Sequence, residues 1–267
     1  MRGHRIAAIV VRQYHLLRGS PARILPLFAW VAIDVVLWGF ITKFLDRVSG
    51  ARFDFVPVLL GAVLLWDYLT RVMHGVTMAF FEDVWSRNFL NFFATPLTIA
   101  EYVTGLVITG MATSFLGLVV MLAVARAAFG LPLLVYGPSL AGFLAVLFVF
   151  GIALGVLGTA IVLRLGPAAE WLIWPIPALL SPFVGVFYPL STLPSWMQAI
   201  SRILPPSYVF EASRAIAAGT RPSPSALAAS AALALAELAI AGWLFTRVYR
   251  HAVRTGLLAR YSAESVS

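Results

Sequence analysis

Ionisable side chains inside long apolar stretches are the residues of this sequence best placed to do chemistry. Asp67, Arg71 and His74 follow one another at spacings of four and three, while Asp34 and Glu237 stand in other apolar stretches. Residues at these spacings share one face of a helix, so Asp67 and Arg71 can form an ion pair. If the stretches cross a bilayer, a charge near its centre costs about 3 kcal/mol and must face protein or water.

Two roles are open for these residues: a polar lining of a substrate path, or pairs that hold helices together. The pair role is favoured for Asp67 with Arg71, and both roles stay open for Asp34 and Glu237. Trp66 lies too far inside its apolar stretch to be typical of an interfacial belt, and it could stack on a sugar or hold an apolar ligand. The candidate lining residues are Asp34, Trp66, Asp67, Arg71, His74 and Glu237.

The residues that other catalytic sites need are missing from the sequence. The phosphate-binding loop of ATPases requires a glycine-rich turn followed by lysine, and the only lysine, Lys43, follows Ile41 and Thr42. The sequence has no cysteine, and its four histidines form no HExxH or other paired spacing. We therefore expect no catalytic residue, no metal site and no cofactor in this chain.

The composition indicates a membrane protein. Hydrophobic residues make up 61% of the 267 residues and charged residues 11%, whereas soluble domains carry about 25% charged residues. The mean hydropathy is +0.93, and the apolar residues fall in blocks of the roughly 20 residues that cross a bilayer. We predict an all-α polytopic fold in one domain, residues 1–267. Its six transmembrane helices are expected near residues 24–43, 56–80, 102–128, 136–163, 171–190 and 225–246.

The distribution of basic residues predicts the orientation of the chain. Arginines cluster in residues 2–23 and 247–260, and the cytoplasmic flanks of membrane spans are enriched in lysine and arginine. Both termini are therefore expected in the cytoplasm, which requires an even number of spans. The net charge of +8 points to anionic lipid and not to nucleic acid, because the basic residues flank apolar spans.

Residues 1–20 are predicted to form an amphipathic helix in the membrane interface. Apolar residues such as Val10, Val11 and Tyr14 share one side at 100° per residue, and Arg5 and Arg12 share the other. The basic side also holds Arg2, Gln13 and His15. We expect this basic side to face lipid headgroups.

The connection between the second and third spans has a pattern of its own. Trp85, Phe89 and Phe92 recur at spacings of four and three, which predicts a short amphipathic helix that Thr95-Pro96 ends. A short cytoplasmic helix with exposed aromatic residues can dock into a groove on a partner protein. It can also lie on the lipid surface, and the two roles are compatible.

Two further motifs predict local helix geometry. Thr98, followed three residues later by Glu101, predicts a capping box at the start of the third span. Gly151, Gly155 and Thr159 place small residues four apart in the fourth span, which permits close helix contact within the chain.

Prolines interrupt residues 175–214. Three of them between residues 175 and 182 break the fifth span, and Tyr188-Pro189 ends it. Pro194 then starts a short helix that carries Trp196. Irregular backbone at membrane depth is tolerated only where it is buried in protein or lines a cavity. We therefore predict a re-entrant helical hairpin at the outer leaflet, residues 187–214, before the last span.

The chain resembles the type-2 family of ATP-binding cassette permeases, which includes O-antigen, teichoic-acid and drug exporters. The resemblance covers nearly the whole chain, from the amphipathic N-terminal helix through the six spans. It includes Thr95-Pro96-Leu97 and the run FYPLSTLP at residues 187–194, followed by Trp196. Downstream, PPSY at residues 205–208 and EASR at residues 211–214 match the same family.

The resemblance implies a homodimer in the bacterial inner membrane, bound to two copies of a separate ATPase subunit that holds ATP and Mg²⁺. Residues 82–94 would be the coupling helix that contacts the ATPase, and residues 195–204 the re-entrant outer helix. In the family a Gly-Thr-Leu-Glu stretch often follows the arginine of this loop, whereas Asn-Phe-Leu-Asn follows Arg87 here. The implied coupling residues are Glu82, Trp85, Arg87, Phe89, Phe92, Thr95 and Pro96.

These expectations favour an exporter that works by alternating access. The substrate would be amphipathic or lipid-linked, either a glycan or glycolipid or a hydrophobic small molecule, because an aromatic-rich path with few charges suits such a molecule. A secondary transporter driven by an ion gradient is the main alternative, and it would depend on Asp34, Asp67 or Glu237. A lipid-modifying enzyme would need a cluster of polar catalytic groups at one depth, and a membrane scaffold would transport nothing.

Overall fold

The computed structural model describes residues 2–48, 56–85, 95–131 and 136–256, and it contains helices and no strand in these ranges. The α-helices are α1 (Gly3–Arg18), α2 (Pro21–Val48), α3 (Gly61–Trp85), α4 (Ile99–Phe129), α5 (Ser139–Leu165), α6 (Ile176–Val184), α7 (Ser195–Ser201), α8 (Pro205–Ala217) and α9 (Pro224–Thr255). A π-helical turn (Val56–Leu60) precedes α3, and 3-10 turns (Pro167–Leu172 and Leu190–Thr192) flank α6. The predicted all-α class is confirmed.

Three of the described helices, α4, α5 and α9, are long and apolar enough to cross a membrane, judged by length and composition. They contain 31, 27 and 32 residues. Since a helix rises about 1.5 Å per residue, each is longer than the roughly 30 Å of bilayer hydrocarbon. These helices correspond to the predicted spans 102–128, 136–163 and 225–246, and the total of six stays a prediction.

Residues 171–190 do not form one continuous helix, which differs from the predicted fifth span. A 3-10 turn comes first, and α6 then has only nine residues, a length of about 14 Å. Pro175 and Pro177 have no N–H to donate to a helix, and Gly185 ends α6 in the left-handed region at φ 67°. The prolines therefore shorten this element more than the sequence analysis expected.

Local sequence motifs define where α4 begins and where it ends. The Thr98 hydroxyl oxygen accepts a 3.3 Å hydrogen bond from Glu101 N, and Thr98 N donates a 3.0 Å bond to Glu101 Oε2. This confirms the predicted capping box. At the other end Gly130 adopts φ 70° and closes the helix in the left-handed conformation. The capping box thus fixes where α4 begins.

Glycines let α3 pack closely against the helices on either side. A Cβ atom added to Gly155 of α5 would lie 2.9 Å from the carbonyl oxygen of Met73, and Gly151 approaches α3 equally closely. On the opposite side, a Cβ atom on Gly75 of α3 would lie 3.1 Å from the Cα atom of Gly110 in α4. The predicted small-residue contact in the fourth span is confirmed as packing within the chain.

Contacts of α9 distinguish the two ends of the helix bundle. The C-terminal half of α9 lies beside the start of α4, since Ile99 and Phe245 line one cavity. The first turns of α9 lie beside α8, since the Ser230 hydroxyl donates a 2.9 Å hydrogen bond to the carbonyl oxygen of Pro205. We call the first the α1 end, because α1 packs against the start of α4, and the second the α7 end.

Candidate functional site

A buried carboxylate at the last turn of α3 joins three helices. Asp83 is 0% exposed. It lies 2.5 Å from the guanidinium of Arg12 in α1, and its Oδ2 accepts a 2.7 Å hydrogen bond from the hydroxyl of Tyr102 in α4. We call Arg12, Asp83 and Tyr102 the Asp83 cluster. It ties α1 and α4 to the end of α3, just before residues 86–94, which we call the coupling segment.

A second carboxylate, which follows residues 86–94 in the chain, anchors α1 to the start of α4. Glu101 Oε1 accepts a 2.7 Å hydrogen bond from the backbone N–H of Arg2, and its Oε2 lies 3.4 Å from the guanidinium of Arg5. The Arg5 guanidinium also donates to the carbonyl oxygen of Pro96. We call Arg2, Arg5, Pro96 and Glu101 the Glu101 cluster. Together the two clusters attach α1 to both sides of residues 86–94.

Part of the basic side of α1 packs against the protein, which the sequence analysis did not predict. Arg12 turns inward to Asp83, Gln13 is 3% exposed, and Ile9 packs where a Cβ atom on Gly105 would lie 2.6 Å away. Two buried carboxylates need cations, and Arg5 and Arg12 of α1 supply them. Contact between the exposed part of the basic side and lipid headgroups stays a prediction. On the apolar side, Val11 and Tyr14 are exposed, whereas Val10 and Leu17 are half-buried.

The predicted coupling residues are only partly described. Glu82 and Trp85 lie in the last turn of α3, and Thr95 and Pro96 form the exposed turn before α4. Arg87, Phe89 and Phe92 lie outside the described residues. The sequence analysis missed Asp83, Tyr102 and Arg12. A usable signal was present: Arg5 and Arg12 lie two turns apart on α1, and acidic residues border the loop on both sides.

A second polar cluster lies deeper in the bundle, between α2, α3 and α4. Asp34 of α2 interacts electrostatically with Arg71 and Asp67 of α3. The stem of Arg71 runs along α4, where a Cβ atom on Gly117 would lie 3.4 Å from Arg71 Cδ. Asp67 Oδ2 is buried and accepts no hydrogen bond from the described residues. Asp67 and Arg71 interact through charge, and the close ion pair between them stays a prediction.

Aromatic residues cover part of this deep cluster. The ring of His74 lies 4.9 Å from that of Trp174, and His74 Nε2 makes no hydrogen bond with the described residues. Trp66 packs instead toward α8, with its ring 6.2 Å from that of Phe210. The structure thus brings together Asp34, Asp67, Arg71 and His74, adds Trp174, which the sequence analysis did not select, and turns Trp66 toward the core.

Glu237 lies apart from the deep cluster. It is half-buried on α9, and its Oε2 makes no hydrogen bond with the described residues. The helix α9 packs mainly on α5 and α8, whereas the deep cluster lies between α2, α3 and α4. The six predicted lining residues therefore do not form one site.

The α7 end is held by hydrogen bonds to backbone groups. Glu211 Oε1 accepts 2.8 Å hydrogen bonds from the backbone N–H of Leu190 and from the guanidinium of Arg214, which also donates a 2.6 Å bond to the carbonyl oxygen of Gly185. The Tyr188 hydroxyl donates a 2.8 Å bond to the carbonyl oxygen of Pro182. These bonds hold residues 187–191, which we call the FYPLS turn, against α8.

The two other residues predicted for the re-entrant segment lie at the boundary and the surface of α7. Pro194 directly precedes the helix, and the Trp196 side chain is exposed, with its ring centroid 6.3 Å from that of Phe183. Trp38 of α2 stacks on Phe187 at 5.1 Å. The FYPLS turn therefore contacts both α2 and α8.

Comparison with known proteins identifies the family. A search of curated proteins finds no match for this chain. Residues 46–247 match the sequence model of the ABC-2 family transporter proteins, which covers well over half of the chain. Proteins of this family are membrane subunits that normally have no ATPase site of their own and work with an ATPase partner. The chain therefore belongs to the ABC-2 transporter family, as a multi-pass membrane permease subunit.

Proposed function

We propose that this chain is the transmembrane subunit of an exporter that moves an amphipathic or lipid-linked substrate across the bacterial inner membrane. ATP hydrolysis on a separate subunit drives alternating access, two copies of the chain form the path, and both termini lie in the cytoplasm. Membership of the ABC-2 transporter family supports the permease role. The observation that carries the mechanism is that ion pairs attach α1 to the residues on both sides of the coupling segment, residues 86–94.

The attachment joins the coupling segment to a larger unit made of α1, the end of α3 and the start of α4. The Asp83 cluster precedes residues 86–94 and the Glu101 cluster follows them. Separating one member of a buried ion pair from the other costs about 3–5 kcal/mol. A push by the ATPase on residues 82–94 would therefore move the end of α3, the start of α4 and all of α1 together.

The deep cluster supports a polar patch on the substrate path. Asp67 Oδ2 and His74 Nε2 are buried without hydrogen bonds to the described residues, and unsatisfied polar atoms at membrane depth are costly. Water or a polar part of the substrate would satisfy them when the path opens. Trp174, which lies against His74 and is partly exposed, offers an aromatic surface to an apolar part of the substrate.

Reconstitution tests the proposal. The chain is placed in liposomes with and without the ATPase subunit that co-purifies with it, and movement of a labelled lipid-linked glycan or hydrophobic drug is measured with ATP and Mg²⁺. We expect transport only with the ATPase. Transport without it, or ATP hydrolysis by the chain alone, would contradict the proposal.

The ion-gradient alternative is favoured by one observation, the closeness of Asp34 and Asp67 beside Arg71. It predicts transport that follows an imposed proton or sodium gradient without ATP and that is lost in Asp67→Asn. The same liposomes separate the two candidates, because an ATP-driven exporter ignores the gradient.

A further inference from the structure

A cavity of about 370 Å³ opens at the α7 end, between the FYPLS turn, α8 and the first turn of α9. Much of its wall is apolar and comes from Leu190, Ala212, Ala215, Pro222 and Ala226. Two arginines, Arg202 and Arg221, also line it. Its volume lies within the roughly 300–1,000 Å³ that is usual for small-ligand sites.

The two arginines differ from the third arginine of this region. Arg214 is fixed by Glu211 and by the carbonyl oxygen of Gly185. The guanidinium groups of Arg202 and Arg221 are exposed and make no hydrogen bond or ion pair within the part of the chain that the structure describes. Their donors are therefore available to a ligand.

The charge of the cavity is positive. Glu211 also lines it, but its carboxylate already accepts from Arg214 and from a backbone N–H. The hydroxyl of Tyr208 is likewise occupied, since it donates a 2.8 Å hydrogen bond to the carbonyl oxygen of Arg202. Since Arg214 offsets the charge of Glu211, the charges of Arg202 and Arg221 leave the described lining positive.

We propose that this cavity binds a phosphate group, carried as the headgroup of an anionic amphiphile. A guanidinium presents a planar fork that matches phosphate oxygens in pairs, and the apolar wall gives the adjoining tail a surface that water solvates poorly. Free phosphate would use the same two arginines but not the apolar wall. The inference stands apart from the transport proposal, because binding requires neither ATP nor movement of substrate.

The test is lipid binding to the purified full chain, measured by native mass spectrometry as apparent Kd values for phosphatidylglycerol and phosphatidylcholine. We expect tighter binding of phosphatidylglycerol. The double variant Arg202→Gln/Arg221→Gln should lose at least about tenfold, the effect of one charge-assisted contact. Arg202→Lys/Arg221→Lys keeps the charge and should keep most of the preference for phosphatidylglycerol. This variant still tests the site if the glutamine variant fails to fold.

A control and a pocket-filling variant sharpen the test. Arg126→Gln removes an exposed charge near the same end, outside the cavity, and should leave the Kd unchanged. Ala226→Leu narrows the apolar wall and keeps both arginines. Weaker phosphatidylglycerol binding in Ala226→Leu, with no displacement by about 10 mM inorganic phosphate, identifies a lipid headgroup as the ligand.

Two outcomes would overturn the proposal. Displacement by inorganic phosphate, with binding intact in Ala226→Leu, identifies free phosphate as the ligand and overturns the amphiphile. Equal binding of the two lipids, or a Kd in Arg202→Gln/Arg221→Gln that matches that of the wild type, overturns the site itself.

Discussion

The two ends of the helix bundle are held together in different ways. At the α1 end, arginines of the first helix reach carboxylates far along the chain, with separations of 96 and 99 residues in the Glu101 cluster. At the α7 end, the bonds of Tyr188, Glu211 and Arg214 bridge only 6, 21 and 29 residues. Contacts thus link distant parts of the chain at the α1 end, whereas those at the α7 end are more local in sequence.

The buried charge at the α1 end also makes it the more sensitive of the two. Asp83 has no exposed surface, so loss of its cation leaves a carboxylate that water cannot reach. Glu211 keeps 44% of its side chain exposed, so water can replace its lost partners. We therefore expect equivalent substitutions to cost more at the α1 end.

The largest effect is expected from Arg12→Met. The substitution leaves Asp83 buried without its cation, and we expect the free energy of unfolding to fall by about 3 kcal/mol, at the lower end of the range for buried pairs because Arg12 is partly exposed. Unfolding by SDS in mixed micelles measures the change. Arg18→Met, which removes an exposed charge from the same helix, serves as the control.

A double variant separates stability from coupling in the same cluster. Arg12→Met/Asp83→Leu removes both charges, so the stability lost through the unpaired carboxylate should return, except for the cost of leaving the buried Tyr102 hydroxyl without its acceptor. Transport per ATP hydrolysed should stay reduced, because α1 is no longer tied to α3. Normal coupling in the double variant would show that the Asp83 cluster serves stability alone.

Tyr102→Phe compares one hydroxyl at each end. It removes a hydrogen bond to a buried carboxylate, and we expect a loss of about 2 kcal/mol in the free energy of unfolding. Tyr208→Phe at the α7 end removes a hydrogen bond to an exposed backbone carbonyl oxygen and should cost less than about 1 kcal/mol. Equal losses in the two variants would remove the difference between the ends.

Thr98→Ala tests the capping box separately from the ion pairs. It removes the side-chain acceptor for Glu101 N, and a lost cap costs about 1 kcal/mol. Thr104→Ala, in the second turn of α4, should be close to neutral because its hydroxyl bonds only to the preceding turn. The same SDS unfolding assay applies, and a loss above about 3 kcal/mol would mean that the cap also positions α1.

Glu211→Gln should have the smallest effect. The amide oxygen can still accept from Leu190 N–H, so only the charge interaction with Arg214 is lost. For a half-exposed pair we expect about 0.5 kcal/mol. Glu211→Ala removes both bonds and should cost more. A loss in Glu211→Gln as large as that in Arg12→Met would contradict the contrast between the two ends.

Sequence reasoning predicted the features that depend on nearby residues. The capping box of Thr98 and Glu101, the small-residue contact at Gly151 and Gly155, and the all-α class are confirmed. Each depends on spacings within one helix, which the sequence displays directly.

The features that the sequence did not predict depend on contacts between distant segments. The amphipathic pattern of α1 shows which residues share a side but not which acidic residues will meet that side, so the inward turn of Arg12 was missed. The spacing of Asp67 and Arg71 shows that they share a helix face, but it does not show that Asp34 on a neighbouring helix also interacts with Arg71. Three prolines showed a break near α6 without giving its length.

The contact between Gly75 and Gly110 has a mechanical consequence. Two backbones this close, with no side chains between them, would act as a pivot if α3 tilted against α4. Along α3, Asp83 lies about 12 Å from this point and Gly61 about 21 Å in the other direction, at 1.5 Å per residue. A tilt of α3 as a rigid lever would therefore turn a small sideways shift at Asp83 into an opposite and nearly doubled shift at the far end of the helix.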